Sequence, residues 1–404
     1  MNGSSSTRPR PESISESKEM AVAPQPSRSE EKPSRASPFA ALSWLDRLLG
    51  PLVLIAMIVG VLIGHYGSGV DTFLKGASFK GVSIPIMVGL LVMMWPIMAK
   101  VQYERLPALI QERSVWKQIG ISMFLNWIIG PFVMLGLAWA TLPDLPGYRA
   151  GVIIVGIARC IAMVMIWNQL ANGNSDLCAI LVIINSLLQL VLFSPFSVFF
   201  LKVISGDNNV RMSYQETSIA VGIYLGIPLA AGMITRFSLI ALLGRNGFNK
   251  FMRFFGPVAL LGLLYTIILI CMEQADRIID NIGNVFRVFV PLILYFCFMW
   301  TGTFITMYLA YRSRSRHTDE EKYHHAVVQS FTAGSNNFEL AIAVCVAIYG
   351  VDSDQALAST IGPLVEVPVL LCLSYLSLYL RHRLQWSRGS STSPETLTSS
   401  SSTL

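Results

Sequence analysis

The chain has 404 residues, of which 53% are hydrophobic and 13% charged, about half the charged share of a soluble domain. That shortfall excludes an ordinary soluble domain and places most of the surface against lipid. The net charge of +6 is a topological signal rather than a nucleic-acid footprint, because the longest apolar runs are nearly free of charge. All six cysteines (Cys160, Cys178, Cys271, Cys297, Cys345 and Cys372) lie in apolar runs, and none shows C-x-x-C or zinc-finger spacing.

Residues 1–44 are rich in Ser, Pro and charge, with no early apolar core. They read as a disordered cytosolic tail rather than a signal peptide. Asn2-Gly3-Ser4 fits a glycosylation sequon, which a cytosolic tail leaves unused. A transporter domain follows over 45–385. Its apolar stretches, each long enough to span (roughly 17–25 residues), predict helices near 48–66, 82–99, 118–142, 150–171, 177–202, 217–240, 256–273, 285–311, 326–349 and 357–380. Residues 386–404, rich in Ser and Thr, read as a second disordered cytosolic tail. The fold class predicted is an all-α polytopic membrane protein with ten transmembrane helices.

The fourth stretch carries Arg159-Cys160 at its centre; without it there would be nine helices and an external C-terminus. Charge decides. With ten spans and an internal N-terminus, 22 Lys and Arg fall on the cytosolic side and seven outside: Lys75, Lys80, Arg149, Lys202, Arg211, Arg277 and Arg287. Without the tails the balance is still 12 against seven. The clearest cytosolic loop is Arg312-Ser-Arg-Ser-Arg316, followed by Lys322; His317, His324 and His325 in it are read as solvated.

Residues 150–194, shifted by 177, fall on 327–371 without a gap. Arg159-Cys160 then faces Asn336-Asn337, Gly173 faces Gly350, Asn185 faces Gly362 and Gln189 faces Glu366. Identities are few, but the polar interruptions coincide. Five helices per half is an odd number, so the halves have opposite orientation, the inverted-repeat plan of secondary transporters.

Ionisable residues at bilayer depth are costly, about 2.5–3.5 kcal/mol for a central Arg, and are functional candidates by default. Three stand out: Arg159, Glu339 and Glu366. The fourth helix (Gly156-Ile-Ala-Arg-Cys-Ile-Ala-Met-Val-Met-Ile-Trp167) and the ninth (Thr332-Ala-Gly-Ser-Asn-Asn-Phe-Glu339) both place small or polar residues mid-helix. Such segments can unwind and line a cavity, and the two breaks are expected to cross as the substrate site. The bland alternative is small-residue packing between helices. Cys160 beside Arg159 offers a thiolate, a soft ligand for a thiophilic solute, and a single thiol permits release; the alternative is an inert buried thiol. Glu339 and Glu366 are candidates for proton coupling, because a low dielectric moves carboxyl titration toward neutral pH. A fixed Arg159–Glu339 ion pair is the competing reading. Asn126 serves equally well as an interhelical hydrogen bond, and Trp127, Trp139 and Trp167 suit packing or interface roles. No phosphate-binding loop or metal-ligand spacing appears, so neither a primary pump nor a cofactor is implied.

At these motifs the chain resembles the arsenical-resistance family of arsenite efflux transporters, within the bile acid/arsenite/riboflavin transporter superfamily. The resemblance rests on Gly156-Ile-Ala-Arg-Cys-Ile-Ala-Met-Val-Met-Ile-Trp-Asn-Gln-Leu-Ala171, Gly334-Ser-Asn-Asn-Phe-Glu-Leu-Ala341 and Gly362-Pro-Leu-Val-Glu-Val-Pro-Val-Leu370. It implies two inverted five-helix repeats with broken, crossing fourth and ninth helices, and export of trivalent arsenic, in some members antimonite, in exchange for protons. The family's essential Cys falls on Cys160, the As(III) thiol contact, and its membrane-embedded Glu on Glu339. Arg159, Asn337, Phe338, Trp167, Asn185 and Glu366 match further family positions. The long N-terminal tail resembles that of a fungal member.

The function expected is therefore proton-coupled arsenite efflux at the cell membrane, with the vacuolar membrane as the other location and both termini cytosolic. The site residues expected are Cys160, Arg159, Asn336, Asn337, Phe338 and Glu339, with Glu366 in proton coupling and Asn126, Trp167 and Asn185 in support. Partners are arsenite or antimonite, protons and the bilayer, with no nucleic acid and no obligate protein partner. Sodium-coupled uptake of an organic anion is the alternative, with Arg159 meeting the anion, and sodium dependence of uptake distinguishes it. A helical receptor or scaffold gains nothing from intramembrane charge on both breaks, and no nucleophile, base and orienting group occur together for enzymatic catalysis. The topology is checked by a reporter fused after Leu404, which should be cytosolic; an external reporter would remove the ten-helix arrangement and the inverted repeat with it.

Overall fold

The computed structural model describes residues 48–67, 78–79, 82–105, 113–161, 163–206, 213–312, 318–384 and 386. The N-terminal tail, the C-terminal tail apart from Trp386, and the loop carrying Arg314, Arg316 and His317 lie outside them.

Each of the ten apolar stretches holds a helix, the only local structure that satisfies backbone polar groups within one segment in lipid. Helix α1 is Leu49–Tyr66. A two-residue antiparallel pair, β1 (Ser78–Phe79) and β2 (Val82–Ser83), precedes α2, Ile84–Lys100. Helix α3 covers residues 113–141, with a π turn at Leu125–Ile129. The π turn lets the hydrogen-bond ladder step past Pro131, which has no N–H to give: Gly130 bonds back to the Leu125 carbonyl. The fourth stretch is two helices, α4 (Pro146–Ile157) and α5 (Met163–Leu170). Helix α6 is Ser175–Val198, extended by a π turn at Phe199–Ile204.

Residues 214–243 form α7, again with a π turn (Gly222–Gly226) just before a proline, and residues 245–273 form α8. They meet at Gly244, whose φ of 68° lies in the left-handed region. The sequence reading placed a connection at about 241–255. It is helical on both sides of Gly244, because one glycine turns the chain and the polar residues that looked like a loop lie on an exposed helix face. Helix α9 is Ala275–Asp280 and α10 is Ile282–Arg312. The ninth stretch is also two helices, α11 (Asp319–Ala333) and α12 (Phe338–Tyr349), and α13 is Asp354–Arg383. Helix α11 starts ahead of the predicted residue 326, because Thr318 and Glu321 form a reciprocal cap at its N-terminus.

Among the described residues, five helical stretches are individually long and apolar enough to cross a bilayer: Val115–Thr141, Ser175–Ile204, Tyr214–Glu273, Ile282–Arg312 and Asp354–Arg383. The broken helices are shorter pieces and reach the depth of a span only in pairs.

Helices α1 and α2 both pack on the stretch 227–273, the start of α7 packs on α6 and α12, and α3 to α6 pack with α10 to α13. Within the first set backbones approach closely, as lipid-embedded helices require in the absence of a hydrophobic drive between them. A Cβ at Gly60 would stand 2.6 Å from the Ile268 carbonyl oxygen. Arg236, counted among the cytosolic charges, is buried on α7 and paired with Glu104, at 2.8 and 2.5 Å. The Arg236 guanidinium holds the Glu104 carboxyl below the usual range. Past α13, Trp386 returns to the bundle against Phe304, Tyr308 and Tyr323, with its carbonyl oxygen accepting from Lys322 at 3.0 Å.

Candidate functional site

The site begins where α4 stops. Ala158 is extended (φ −72°, ψ 118°), and residues 158–161 leave the helix. Residues 334–337 do the same between α11 and α12. The two gaps cross, joined by an antiparallel bridge between Arg159 and Asn336. Asn337 N–H donates to the Ala158 carbonyl oxygen at 3.1 Å. The Asn336 side chain donates to the carbonyls of Val155 (2.8 Å) and Ala158 (3.1 Å). Residues 159 and 336 are equivalent under the 177-residue shift, so the bridge joins repeat-equivalent positions.

Arg159 is fully buried and folds back on the helix it terminates. Its guanidinium donates to the Gly156 carbonyl, to the Ile157 carbonyl at 3.4 Å, and to the Tyr295 hydroxyl at 3.1 Å. Tyr295 in turn donates to the Ala333 carbonyl at 3.4 Å, at the end of α11. A cation thus sits at the negative end of the α4 dipole and closes carbonyls that α4 leaves open. It has no carboxylate within ion-pair distance among the described residues, so the Arg159–Glu339 pair is absent. The backbone of residue 159 is held from its other edge: Arg159 N–H donates to Gln189 Oε1 at 2.9 Å, and Gln189 Nε2 donates to the Arg159 carbonyl at 2.7 Å.

The two second half-helices begin at the crossing with side-chain caps. Cys160 Sγ accepts from Val164 N–H at 3.2 Å at the start of α5. Asn337 Oδ1 accepts from Leu340 N–H at 3.0 Å at the start of α12. Cys160 and Asn337 are also repeat equivalents. Each lies at the positive end of a helix, and the Ser335 hydroxyl is within hydrogen-bonding reach of the thiol. Glu339 is in the first turn of α12 and half-buried. Glu366, on α13, is 2% exposed, faces the Asn336 N–H, and lies within electrostatic reach of Glu339.

Buried polar atoms without partners occur on the residues of the crossing: Asn336 Oδ1, Asn337 Nδ2 and Glu366 Oε1. Native proteins leave few such atoms unsatisfied, so a cluster of them marks a place where a polar solute or water completes the set. The other candidates sit differently. Phe338 is buried with its ring over Gly362, where any Cβ would overlap it, and 6.2 Å from the Phe296 ring. Asn185 accepts from Trp127 Nε1 at 3.1 Å, and Asn126 bonds within its own helix, to Ser122. Gln189, Tyr295 and Ser335 were not among the predicted site residues. The repeat alignment had placed Gln189 opposite Glu366, the one usable signal; Tyr295 lies in an apolar run without one. Among the described residues no group of three or more His, Cys, Asp or Glu could hold a metal ion. A cavity of about 440 Å³ at the far end of α5, lined by Asn172, Glu320, His324 and Arg381, does not include the crossing.

Tyr295→Phe should cost about 1.5–3 kcal/mol, the range for a hydrogen bond to a charged group. Thermal unfolding in detergent measures it, and an unchanged melting temperature would show that Arg159 is held without the hydroxyl.

The sodium bile acid symporter family matches residues 87–281. The arsenical-resistance protein Acr3 of Corynebacterium glutamicum is 39% identical over 357 residues, 87% of this chain and 93% of that protein. The arsenical-resistance protein Acr3 of Alkaliphilus metalliredigens is 30% identical over 354 residues, covering 84% and 94%. An uncharacterized transporter of Synechocystis is 31% identical over 352 residues, covering 82% and 88%.

Proposed function

The chain belongs to the Acr3 arsenical-resistance family, a family of membrane transporters, and on that premise we propose that it exports trivalent arsenic from the cytosol in exchange for protons. The observation that carries this reading is the position of Cys160, a lone thiol at the head of α5, inside the crossing and among unpartnered polar atoms.

The chemistry follows from those neighbours. Arsenite, as As(OH)₃, exchanges one hydroxyl for sulfur: an S–As bond forms, an As–O bond breaks, and the thiol proton leaves with the hydroxide as water. The remaining As–OH groups find partners in Asn336 Oδ1 and Glu366 Oε1, both buried and unpaired. One sulfur bond reverses readily, whereas three would trap the cargo. Antimonite presents the same soft centre and hydroxyls and is a second cargo on this reading.

Coupling falls to the carboxyls. Glu339 carries the exchanged proton, because it lies two residues past the Asn336-Asn337 break and is partly accessible; Glu366, more deeply buried, supports or relays it. Asn126, Trp167 and Asn185 support the helices around the crossing, and Phe338 fixes α12 against α13. Both termini are cytosolic and the membrane is the plasma membrane.

Sodium-coupled uptake of an organic anion has the sodium bile acid symporter match in its favour. Against it, the Arg159 guanidinium is occupied by the α4 carbonyls and Tyr295, and is not free to meet a carboxylate.

Everted membrane vesicles test the assignment. They should accumulate arsenite under an imposed proton gradient and without sodium. Cys160→Ser should abolish accumulation at normal membrane abundance, while replacing Cys178, Cys271, Cys297, Cys345 and Cys372 together should leave substantial transport. Robust transport by Cys160→Ser would end the soft-ligand argument. In the same vesicles Glu339→Gln should lose gradient-driven transport and proton flux while still binding arsenite. Full proton-coupled exchange in that variant would move the role to Glu366 or to neither residue.

A further inference from the structure

Residue 159 is in effect a one-residue strand. One edge pairs with the Asn336 backbone, and the other meets the Gln189 side chain, which supplies both an acceptor and a donor. The amide orientation is forced, because only the oxygen can accept the Arg159 N–H and only the nitrogen can donate to the Arg159 carbonyl. Gln189 is fully buried on α6, so its two bonds, at 2.9 and 2.7 Å, face no competition from solvent. Without them an N–H and a C=O would stand unpaired at the crossing, and α4 would gain by continuing its helix through the gap. The side chain next in line is Cys160.

We infer that Gln189 is the positioning residue that holds the Arg159–Cys160 break extended and so presents the thiol to the substrate. This rests on the reading of Cys160 as the arsenic ligand. The repeat sharpens the inference. The equivalent of Gln189 is Glu366, which faces the Asn336 N–H on the other arm. A carboxylate can accept that N–H, but it can donate to a carbonyl only when protonated. An amide does both at every pH. The arm that carries the thiol therefore has a clamp that does not titrate.

Gln189→Glu puts a titrating clamp on the thiol arm. When protonated, the new carboxyl reproduces both bonds; ionised, it turns a lone pair toward the Arg159 carbonyl and repels it. The ionisable groups of the crossing are Arg159, to whose backbone it bonds, Cys160, Glu339 and Glu366. Of the elements packed on α6, α3 brings Arg113 and Lys117 in its first turns, α4 brings Arg149 at its first turn, α5 brings none, α7 brings Glu216 near its start, and α11 has its ionisable residues at 319–325, all away from the break.

The experiment measures arsenite transport in everted vesicles as the ratio of variant to parent at each pH, so that the parent's own proton dependence cancels. For Gln189→Glu the ratio should approach one in acid and fall with rising pH, by up to about tenfold per unit, the slope of one titrating carboxyl. Gln189→Leu should be impaired at all pH values. In a chain with Cys160 as its sole cysteine, Gln189→Leu should also change the rate of Cys160 alkylation by N-ethylmaleimide and weaken protection by arsenite. A pH-independent ratio for Gln189→Glu, whether high or near zero at normal abundance, would overturn the inference, as would alkylation unaltered by Gln189→Leu. If Cys160→Ser transports normally while Gln189→Glu keeps its pH dependence, the clamp stands and the thiol reading falls.

Discussion

Everything at the crossing depends on one constraint: two backbone breaks at bilayer depth must close their own hydrogen bonds without water. Each broken helix exposes open carbonyls at one side of its gap and open N–H groups at the other. The chain closes them across the crossing. Asn336 covers the end of α4, Ala158 receives the Asn337 N–H, and Cys160 and Asn337 cap the helices that follow. Neither break is stable alone. Removing one would strand the other's polar groups, which is why the interruptions fall at matching places in the sequence.

The same constraint settles the role of Arg159. A guanidinium at this depth needs a negative partner, and a carboxylate is the obvious one. The structure supplies a helix end instead: the Gly156 and Ile157 carbonyls and the Tyr295 hydroxyl take its donors. Among the described residues Arg159 therefore forms no ion pair with Glu339 or Glu366, and on the proposed reading this is what lets the acids change charge, which such a pair would oppose.

The sequence makes the helices legible because lipid leaves no other option for long apolar runs, and it makes the breaks legible because Arg, Cys and Asn at mid-helix are costly. What it hides is pairing. Nothing in the apolar run around Tyr295 announces that its hydroxyl meets Arg159, since the partner is 136 residues away. The start of α11 was missed because a basic, His-rich segment looked like loop until the Thr318–Glu321 cap outweighed its composition. The region near 241–255 was missed for the converse reason: a single glycine at positive φ replaces the turn residues that a loop would need. Arg159 itself was legible as a costly charge at the break, but not its partners, because backbone carbonyls leave no trace in a sequence.

The two arms share a scaffold and differ in chemistry. In the first, a thiol caps the half-helix and an amide grips the break; in the second, an amide caps and a carboxyl grips. A repeat that bound cargo and proton on the same arm would make each compete for the same cap. Dividing them adds a second route from a change of charge at Glu366 to Cys160, through the Arg159–Asn336 bridge, beside its direct electrostatic reach. On the proposed reading that bridge is the physical link between proton and arsenic: the acid alters how firmly Asn336 is held, and Asn336 is paired with the residue beside the thiol. Coupling by this route adds to the contact between Glu366 and the cargo. It needs only that the thiol arm keep its own grip while the other arm titrates, and that is the property an amide at position 189 supplies.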